Sequence, residues 1–116
     1  MKVQDVINKM KTENLIDDRE IYVYASKKSL LGGAAGAIAG LTILSVYECF
    51  LYIHKANVDN SRGEFIEKIS IADMRILKAK AGLFGGSFIF EHNGKKYNYQ
   101  LPSRANKFVD FFVKKL

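Results

Sequence analysis

The feature that most constrains the fold is an Asn-Gly pair inside the aromatic-rich stretch SFIFEHNGKKYNYQL, residues 87–101. Asn93 and Gly94 suit a two-residue type I′ turn, because both of its central positions require positive φ. Such a turn fixes the strand register and places Glu91 opposite Lys96. The same register stacks two aromatic pairs on the other face, namely Phe88 with Tyr99 and Phe90 with Tyr97. We therefore predict an antiparallel hairpin whose aromatic face is buried.

Alternating apolar positions and many β-branched or aromatic residues predict further strands along the chain. These segments are EIYVYAS at 20–26, CFLYIHK at 49–55, FIEKISIADM at 65–74 and RILKAKA at 75–81. A polar turn cluster at 59–63 separates the second of them from the third. About seven short strands joined by tight turns favour an antiparallel sheet over a βαβ arrangement.

Both ends of the chain predict amphipathic helices. Over residues 2–13 the apolar positions recur with helical spacing, at Val3, Val6, Ile7 and Met10. Near the C-terminus, Pro102 lies just outside the second helix and Ser103 is the expected N-cap. Its predicted apolar face consists of Ala105, Phe108, Val109, Phe112, Val113 and Leu116. Phe111 lies on a separate, basic stripe, which suits either the rim of the core or contact with a membrane or partner.

The 116 residues are enough for one folded domain, and a two-sided aromatic sheet of this length is expected to curl on itself. A terminal helix would then close the open end. The predicted fold is α+β and mainly β, with residues 1–19 as an N-terminal helix and linker and residues 20–116 as the domain. Cys49 is the single cysteine, which rules out an internal disulfide and favours a reducing compartment.

The segment IEKISIADMRILKAKAGLFGGSFIFEHNGKKYNYQLPSRANKFVDFFVKKL resembles the second half of a bacterial pleckstrin-homology-like (PH-like) domain. Its shared steps are an apolar-x-apolar-x-Asp-apolar motif at 69–74, the Gly-Leu-Phe-Gly-Gly turn at 82–86, the hairpin and the closing helix. Upstream, EIYVYA resembles the first strand of that family and ECFLYIHK the third. The resemblance covers about residues 20–116. It implies a bent seven-stranded antiparallel barrel closed by the C-terminal helix, and it brings no catalytic residues.

The run LLGGAAGAIAGLTILSVY, residues 30–47, has no charged residue and admits three interpretations. Its length and its GxxxGxxxG spacing are compatible with a transmembrane helix, although many of its residues are Gly or Ala. It lacks the Gly-Lys-Ser/Thr ending of a phosphate-binding P-loop. Under the PH-like alignment it lies between the first two strands, where residues 30–44 would pack on the barrel, dock a second subunit or touch a bilayer.

The positive charge is concentrated in the C-terminal part of the chain. From Met74 onward nine Lys and Arg residues oppose two acids, so this part carries +7, while the first 73 residues carry −1, for a total of +6. Such a surface attracts anionic lipid, nucleic acid or an acidic protein. Because the hairpin aromatics are expected in the core, they are not available to stack on bases, which argues against nucleic acid. The candidate contacts are Lys27, Lys28, Leu30, Leu31, Ile38, Lys78, Lys80, Lys95, Lys96, Arg104, Lys107 and Phe111.

Residues that could carry catalysis are few and scattered. Cys49, His54 and His92 share no metal-ligand spacing, and no carboxylates form an acid–base pair. We expect a non-enzymatic, cytoplasmic binding module without a cofactor or small-molecule substrate, in the cytosol or peripheral at the inner membrane face. Its expected partners are a protein, a second copy or an anionic membrane. The alternatives are an integral membrane protein anchored through 30–47, a nucleic-acid-binding domain and a small enzyme.

Overall fold

The computed structural model describes residues 2–27 and 40–114. Within these ranges the chain forms two α-helices and seven β-strands. The helices are α1 (Val3–Thr12) and α2 (Asn106–Val113). The strands are β1 (Tyr22–Lys27), β2 (Leu41–Tyr47), β3 (Phe50–Ala56), β4 (Arg62–Ser70), β5 (Arg75–Lys80), β6 (Gly86–His92) and β7 (Lys95–Leu101).

All seven strands belong to one antiparallel sheet with the order β4-β3-β2-β1-β7-β6-β5. β4 and β5 are therefore its two edges, and a 3-10 turn at Ile71–Asp73 links them. The molecule measures 35 × 32 × 29 Å, which is nearly equal in all directions and requires the sheet to be bent. The predicted mainly β architecture is confirmed, with a seam between β4 and β5 where hydrogen bonds do not close the sheet.

The hairpin forms as its turn chemistry predicts. Asn93 and Gly94 have φ values of 52° and 77°, as a type I′ turn requires. β6 and β7 pair in the predicted register, including Glu91 with Lys96. All four predicted aromatic residues are buried, and the rings of Phe90 and Tyr97 stack with centroids 4.6 Å apart.

The concave face of the sheet encloses the main core together with α2. Phe88 is at the centre of this core, where its ring contacts those of Phe108 and Phe112 at centroid distances of 5.1 and 4.8 Å. β1, β2, β3, β6 and β7 contribute further buried residues, among them Val23, Leu44, Leu51, Phe90 and Tyr99. Residues from both halves of the sheet thus share one core, which explains why the sheet bends.

α1 packs on the opposite, outer face of the sheet. Its residues Val6, Ile7 and Met10 form a separate buried cluster with Ile16 and with Ile43 of β2. β2 therefore has both faces covered, and its five central residues, 42–46, are all buried. The predicted amphipathic helix α1 is confirmed and its apolar stripe is buried, but this second core lies outside the curved sheet.

Two details of the C-terminal helix differ from the prediction. Ser103 does not cap α2; the helix begins at Asn106 after Ala105, whose side chain makes no capping hydrogen bond. Arg104 adopts a positive φ of 61° and donates its backbone N–H to the carbonyl of Gly82, which turns the chain before the helix starts. Val113 was expected on the buried face and is exposed.

The alternative of a transmembrane helix over residues 30–47 is wrong for the C-terminal part of that run. Leu41–Tyr47 form β2, which is paired with β1 on one side and with β3 on the other. Ile43 and Leu44 are buried in the two clusters, so these two side chains are not available to a membrane or a partner. Residues 30–39 lie outside the described ranges. Neither of the two described helices combines the length and the hydrophobicity needed to cross a bilayer.

Candidate functional site

The turn between β5 and β6 holds two large apolar residues in a tightly defined backbone. The carbonyl of Gly82 accepts hydrogen bonds from the N–H groups of Gly85 and Arg104, at 3.4 and 2.9 Å. Gly85 has a φ of 123°, which side-chain-bearing residues rarely adopt. At Gly86 a Cβ would lie 1.9 Å from the carbonyl oxygen of Lys80, so only glycine fits. The glycines and these bonds define where Leu83 and Phe84 project.

Leu83 and Phe84 project into solvent. Phe84 is 99% exposed and Leu83 is 65% exposed, although the aromatic residues of β6 and β7 nearby are buried. An exposed apolar pair at a protruding turn is typical of a contact surface. The other fully exposed apolar residue in the described ranges, Val58, is isolated in the polar β3–β4 turn.

Two cationic residues adjoin this turn. Lys80 is the last residue of β5 and is exposed, and Arg104 is joined to Gly82 by its backbone hydrogen bond. Both were among the predicted contact residues. The structure thus combines two predicted cations with two apolar side chains, and we call Lys80, Leu83, Phe84 and Arg104 the apolar-basic tip.

Next to the tip, β1 and the chain that leaves β7 separate and form an open cleft of about 430 Å³. Among the described residues, β1 pairs with β7 only through Ser26 and Lys27. The next residue of the outgoing chain that would donate to β1 is Pro102, which has no N–H. The loss of this donor ends the ladder, so the edge of β1 near Tyr22 and Tyr24 borders the cleft.

The lining of this cleft combines apolar and charged side chains. Its residues are Val3, Glu20, Tyr22, Val23, Tyr24, Pro102, Ser103, Arg104, Ala105, Lys107 and Phe108. The carboxylate of Glu20 accepts a 2.5 Å hydrogen bond from the Lys11 ammonium, and this bond is the main reason that its pKa is lowered. Glu20 is paired with Lys11, and the charge of Lys107 also lowers the pKa of Glu20, so the cleft lining carries two cations, Arg104 and Lys107, against one acid.

The remaining predicted contacts are neither in the tip as defined nor in the lining of the cleft. Lys95 and Lys96 are exposed at the hairpin turn, which the seven residues of β6 separate from the tip by roughly 20 Å. Lys27 ends β1 and is exposed, and Lys78 is exposed in the middle of β5. Lys28, Leu30, Leu31 and Ile38 lie outside the described residues.

Phe111 belongs to the rim of the core. It is half-buried, packs against the main core and contacts the Phe112 ring edge-on at 5.0 Å. The guanidinium carbon of Arg19 lies 5.2 Å from its ring centroid, within cation–π range. Phe111 therefore has a cationic partner within the chain itself, namely Arg19.

Cys49 and His54, two of the residues that could carry catalysis, lie in different environments. Cys49 is exposed in the β2–β3 turn, whereas His54 is completely buried beneath the α1 side of the sheet. Burial is the main cause that lowers the pKa of His54 to about 4, and the charge of Arg62 adds to it. The described residues contain no group of three His, Cys, Asp or Glu residues that could hold a metal ion.

His54 is also incompletely hydrogen bonded. Its Nε2 lies 3.4 Å from the hydroxyl oxygen of Ser45, and that hydroxyl donates to the carbonyl of Leu15 at 2.8 Å. Ser45 is therefore an acceptor toward the ring, and Nε2 carries the proton. Nδ1 has no hydrogen-bond partner among the described atoms.

Sequence reasoning identified Lys80, Arg104 and Lys107 but did not assign roles to Leu83, Phe84 or the edge of β1. Two large apolar residues between glycines are the signal for an exposed tip, since a short turn has no neighbouring surface to cover them. Pro102 directly after a strand is the signal for the unpaired edge.

The chain matches no family model, no curated protein and no solved structure. Its function is therefore inferred from the geometry of its own residues.

Proposed function

We propose that this chain is a non-catalytic, PH-like interaction domain that attaches reversibly to anionic membrane surfaces through the apolar-basic tip. The observation that carries the proposal is the exposure of Leu83 and Phe84 at a hydrogen-bonded turn that adjoins Lys80 and Arg104. Apolar side chains at the tip enter the headgroup–acyl boundary, and the cations contact lipid phosphates.

The shape of the tip favours a lipid surface over a protein partner. A tip of four residues presents far less than the ~800 Å² per partner that a stable protein interface buries. Protein hot spots also cluster in well-packed, desolvated pockets, whereas Leu83 and Phe84 lie on a convex protrusion. A bilayer surface can surround such a protrusion on all sides.

The expected attachment is weak and salt-dependent. Burying Leu83 and Phe84 contributes roughly 1.5–3 kcal/mol for each side chain. Lys80 and Arg104 contribute about 1 kcal/mol each near an anionic leaflet. These contributions favour reversible binding and are far smaller than those of a membrane-spanning helix.

Vesicle co-sedimentation tests this function. The wild type is expected to pellet with vesicles of phosphatidylcholine and phosphatidylglycerol in equal amounts, and to be released as salt rises from about 0.1 M to about 1 M. Phe84→Ser should weaken binding by about 10-fold or more, because a buried aromatic ring is lost. Lys80→Glu should weaken binding mainly at low salt.

Val58→Ser is the matched control, since Val58 is equally exposed but lies in the β3–β4 turn. It should leave vesicle binding unchanged. If Phe84→Ser pellets as the wild type does, or if neither protein pellets at low salt, the proposed function is wrong. Equal binding to pure phosphatidylcholine would contradict the role given to the cations.

A cytoplasmic location at the inner membrane face forms part of the same proposal. The cytoplasmic leaflet carries the negative surface potential that Lys80 and Arg104 require. The exposed thiol of Cys49 also suits a reducing compartment. Cell fractionation should recover the wild type in part with membranes, and Phe84→Ser in the soluble fraction.

A further inference from the structure

The edge of β1 that borders the cleft has backbone hydrogen-bonding groups with no partner in the described part of the chain. Residues of an antiparallel strand direct their N–H and C=O groups alternately to the two neighbours. Ile21 and Lys27 bond to the β2 side, through Val46 and Gly40. The even-numbered residues of β1 therefore face β7, and of these Ser26 pairs with Gln100.

Tyr22 and Tyr24 are the even-numbered residues left without a β7 partner. Pro102 lies where the ladder would continue, and Arg104 directs its own N–H to Gly82 instead of β1. No backbone hydrogen bond joins Tyr22 or Tyr24 to the described residues across the cleft. Each of the two tyrosines thus offers one donor and one acceptor, which is the pattern that an added strand would complete.

The walls of the cleft fit an extended chain with acidic side chains. Val3 supplies partly exposed apolar surface, whereas the lining residues Ala105 and Phe108 are buried, and the volume of about 430 Å³ lies in the range of ligand sites. The excess charge comes from Arg104 and Lys107, neither of which forms an ion pair within the described residues. Their charge complements carboxylates and repels a basic segment.

We propose that this cleft binds a short acidic peptide segment, which adds to the free edge of β1 as an extra strand. Tyr22 and Tyr24 supply the main-chain hydrogen bonds, while Arg104 and Lys107 pair with carboxylates of the segment. A small anion would use the cations alone and leave the β1 groups without partners. The occupant is therefore a polypeptide. This inference goes beyond the membrane function and requires no lipid.

Hydrogen exchange tests the free edge without any ligand. The amides of Tyr22 and Tyr24 should exchange faster than those of Val23 and Ala25, which point toward β2. Equal protection of all four amides would overturn the inference, because it would mean that the edge is already paired.

Peptide titration followed by amide chemical shifts tests the ligand class. The probe is a pool of acetylated hexapeptides with Glu or Asp at alternate positions and Val, Ile or Tyr between them. The acidic pool should shift the amides of Tyr22 and Tyr24 and slow their exchange. A Lys-for-Glu pool and an N-methylated acidic pool should not, because they lack the charge and the strand pairing respectively.

Lys107→Glu should reduce the affinity for the acidic pool at least about fivefold, whereas Lys96→Glu at the distant hairpin should leave it unchanged. Phe84→Ser should bind the pool normally, so loss of membrane binding and loss of peptide binding are distinguishable. Absence of shifts with the whole acidic pool at millimolar concentration, or equal binding of the basic pool, would overturn the proposal.

Discussion

The two helices are both amphipathic and of similar length, yet they stabilise opposite faces of the same sheet. α2 fills the concave side, where Phe108 and Phe112 contact Phe88. α1 lies on the convex side and covers Ile43 with Val6, Ile7 and Met10. The inner helix uses aromatic rings to fill a closed space, and the outer helix uses aliphatic side chains to cover a surface.

The two helices therefore contribute to stability in different ways. The core around α2 includes residues of both sheet halves, and Tyr97 of β7 donates a 2.6 Å hydrogen bond to Glu67 of β4 across the interior. Burial is the main cause that raises the pKa of Tyr97, and the bond to Glu67 raises it further. The α1 cluster involves only the half of the sheet formed by β1, β2 and β3. We therefore expect substitutions of buried residues in α2 to destabilise the whole fold, and those in α1 to destabilise mainly the strands beneath it.

The largest effect is expected from Phe112→Ala in α2. Phe112 is fully buried and contacts three aromatic rings, so its loss should lower the free energy of unfolding by about 3–5 kcal/mol. Urea denaturation measures this change, and amide shifts should move on both sheet halves. Val113→Ala, one residue along the helix and exposed, should change stability by less than about 0.5 kcal/mol. Equal effects of the two substitutions would show that burial of Phe112 among the core rings does not determine the contribution of α2.

A smaller and more local effect is expected from Ile7→Ala in α1. Ile7 is fully buried, but it packs on an outer surface onto which the helix can settle. We expect a loss of roughly 2–3 kcal/mol, at the low end for buried aliphatic truncations. Hydrogen exchange should accelerate in α1 and along β1 to β3, and stay unchanged in β6 and β7. Asn8→Ala, at an exposed position of the same helix, is the control. Accelerated exchange throughout the sheet would show that α1 supports the whole fold.

The smallest effect concerns acid sensitivity of the α1 side. The pKa of His54 is about 4 in the folded protein and 6.5 for the ordinary group, so below pH 6.5 the unfolded chain binds a proton that the folded chain does not. Stability should therefore fall as the pH drops from 6.5 toward 4, by about 2 kcal/mol between pH 7 and pH 5. Urea denaturation at pH 7 and pH 5 measures this difference.

His54→Leu should reduce that pH dependence, whereas His92→Leu at the hairpin should retain it. The loss should begin with faster exchange in α1, because the histidine lies on the face that α1 covers. If His54→Leu and the wild type lose the same stability between pH 7 and pH 5, burial of this imidazole does not control acid sensitivity.

Some parts of the fold follow from sequence preferences that act over a few residues, and others do not. The hairpin was predicted residue by residue, because Asn93 and Gly94 set both the turn and the register. The Ser103 cap was wrong, because a distant carbonyl, that of Gly82, captures the N–H of Arg104 and delays the helix. Of the candidate site, its cations were predicted from charge, but the exposure of Phe84 depends on how β5 and β6 end.

By itself, the sequence determined six of the seven strands, the hairpin turn and the two amphipathic stripes, since backbone preferences and apolar periodicity act within a few residues. Only the tertiary structure decided which helix lies inside the bend, where the sheet stays open and which edge of β1 lacks a partner. Those outcomes depend on contacts between segments far apart in the chain. Pro102 ends a ladder with β1, and Phe112 packs on Phe88, only after the sheet has curved to bring them together.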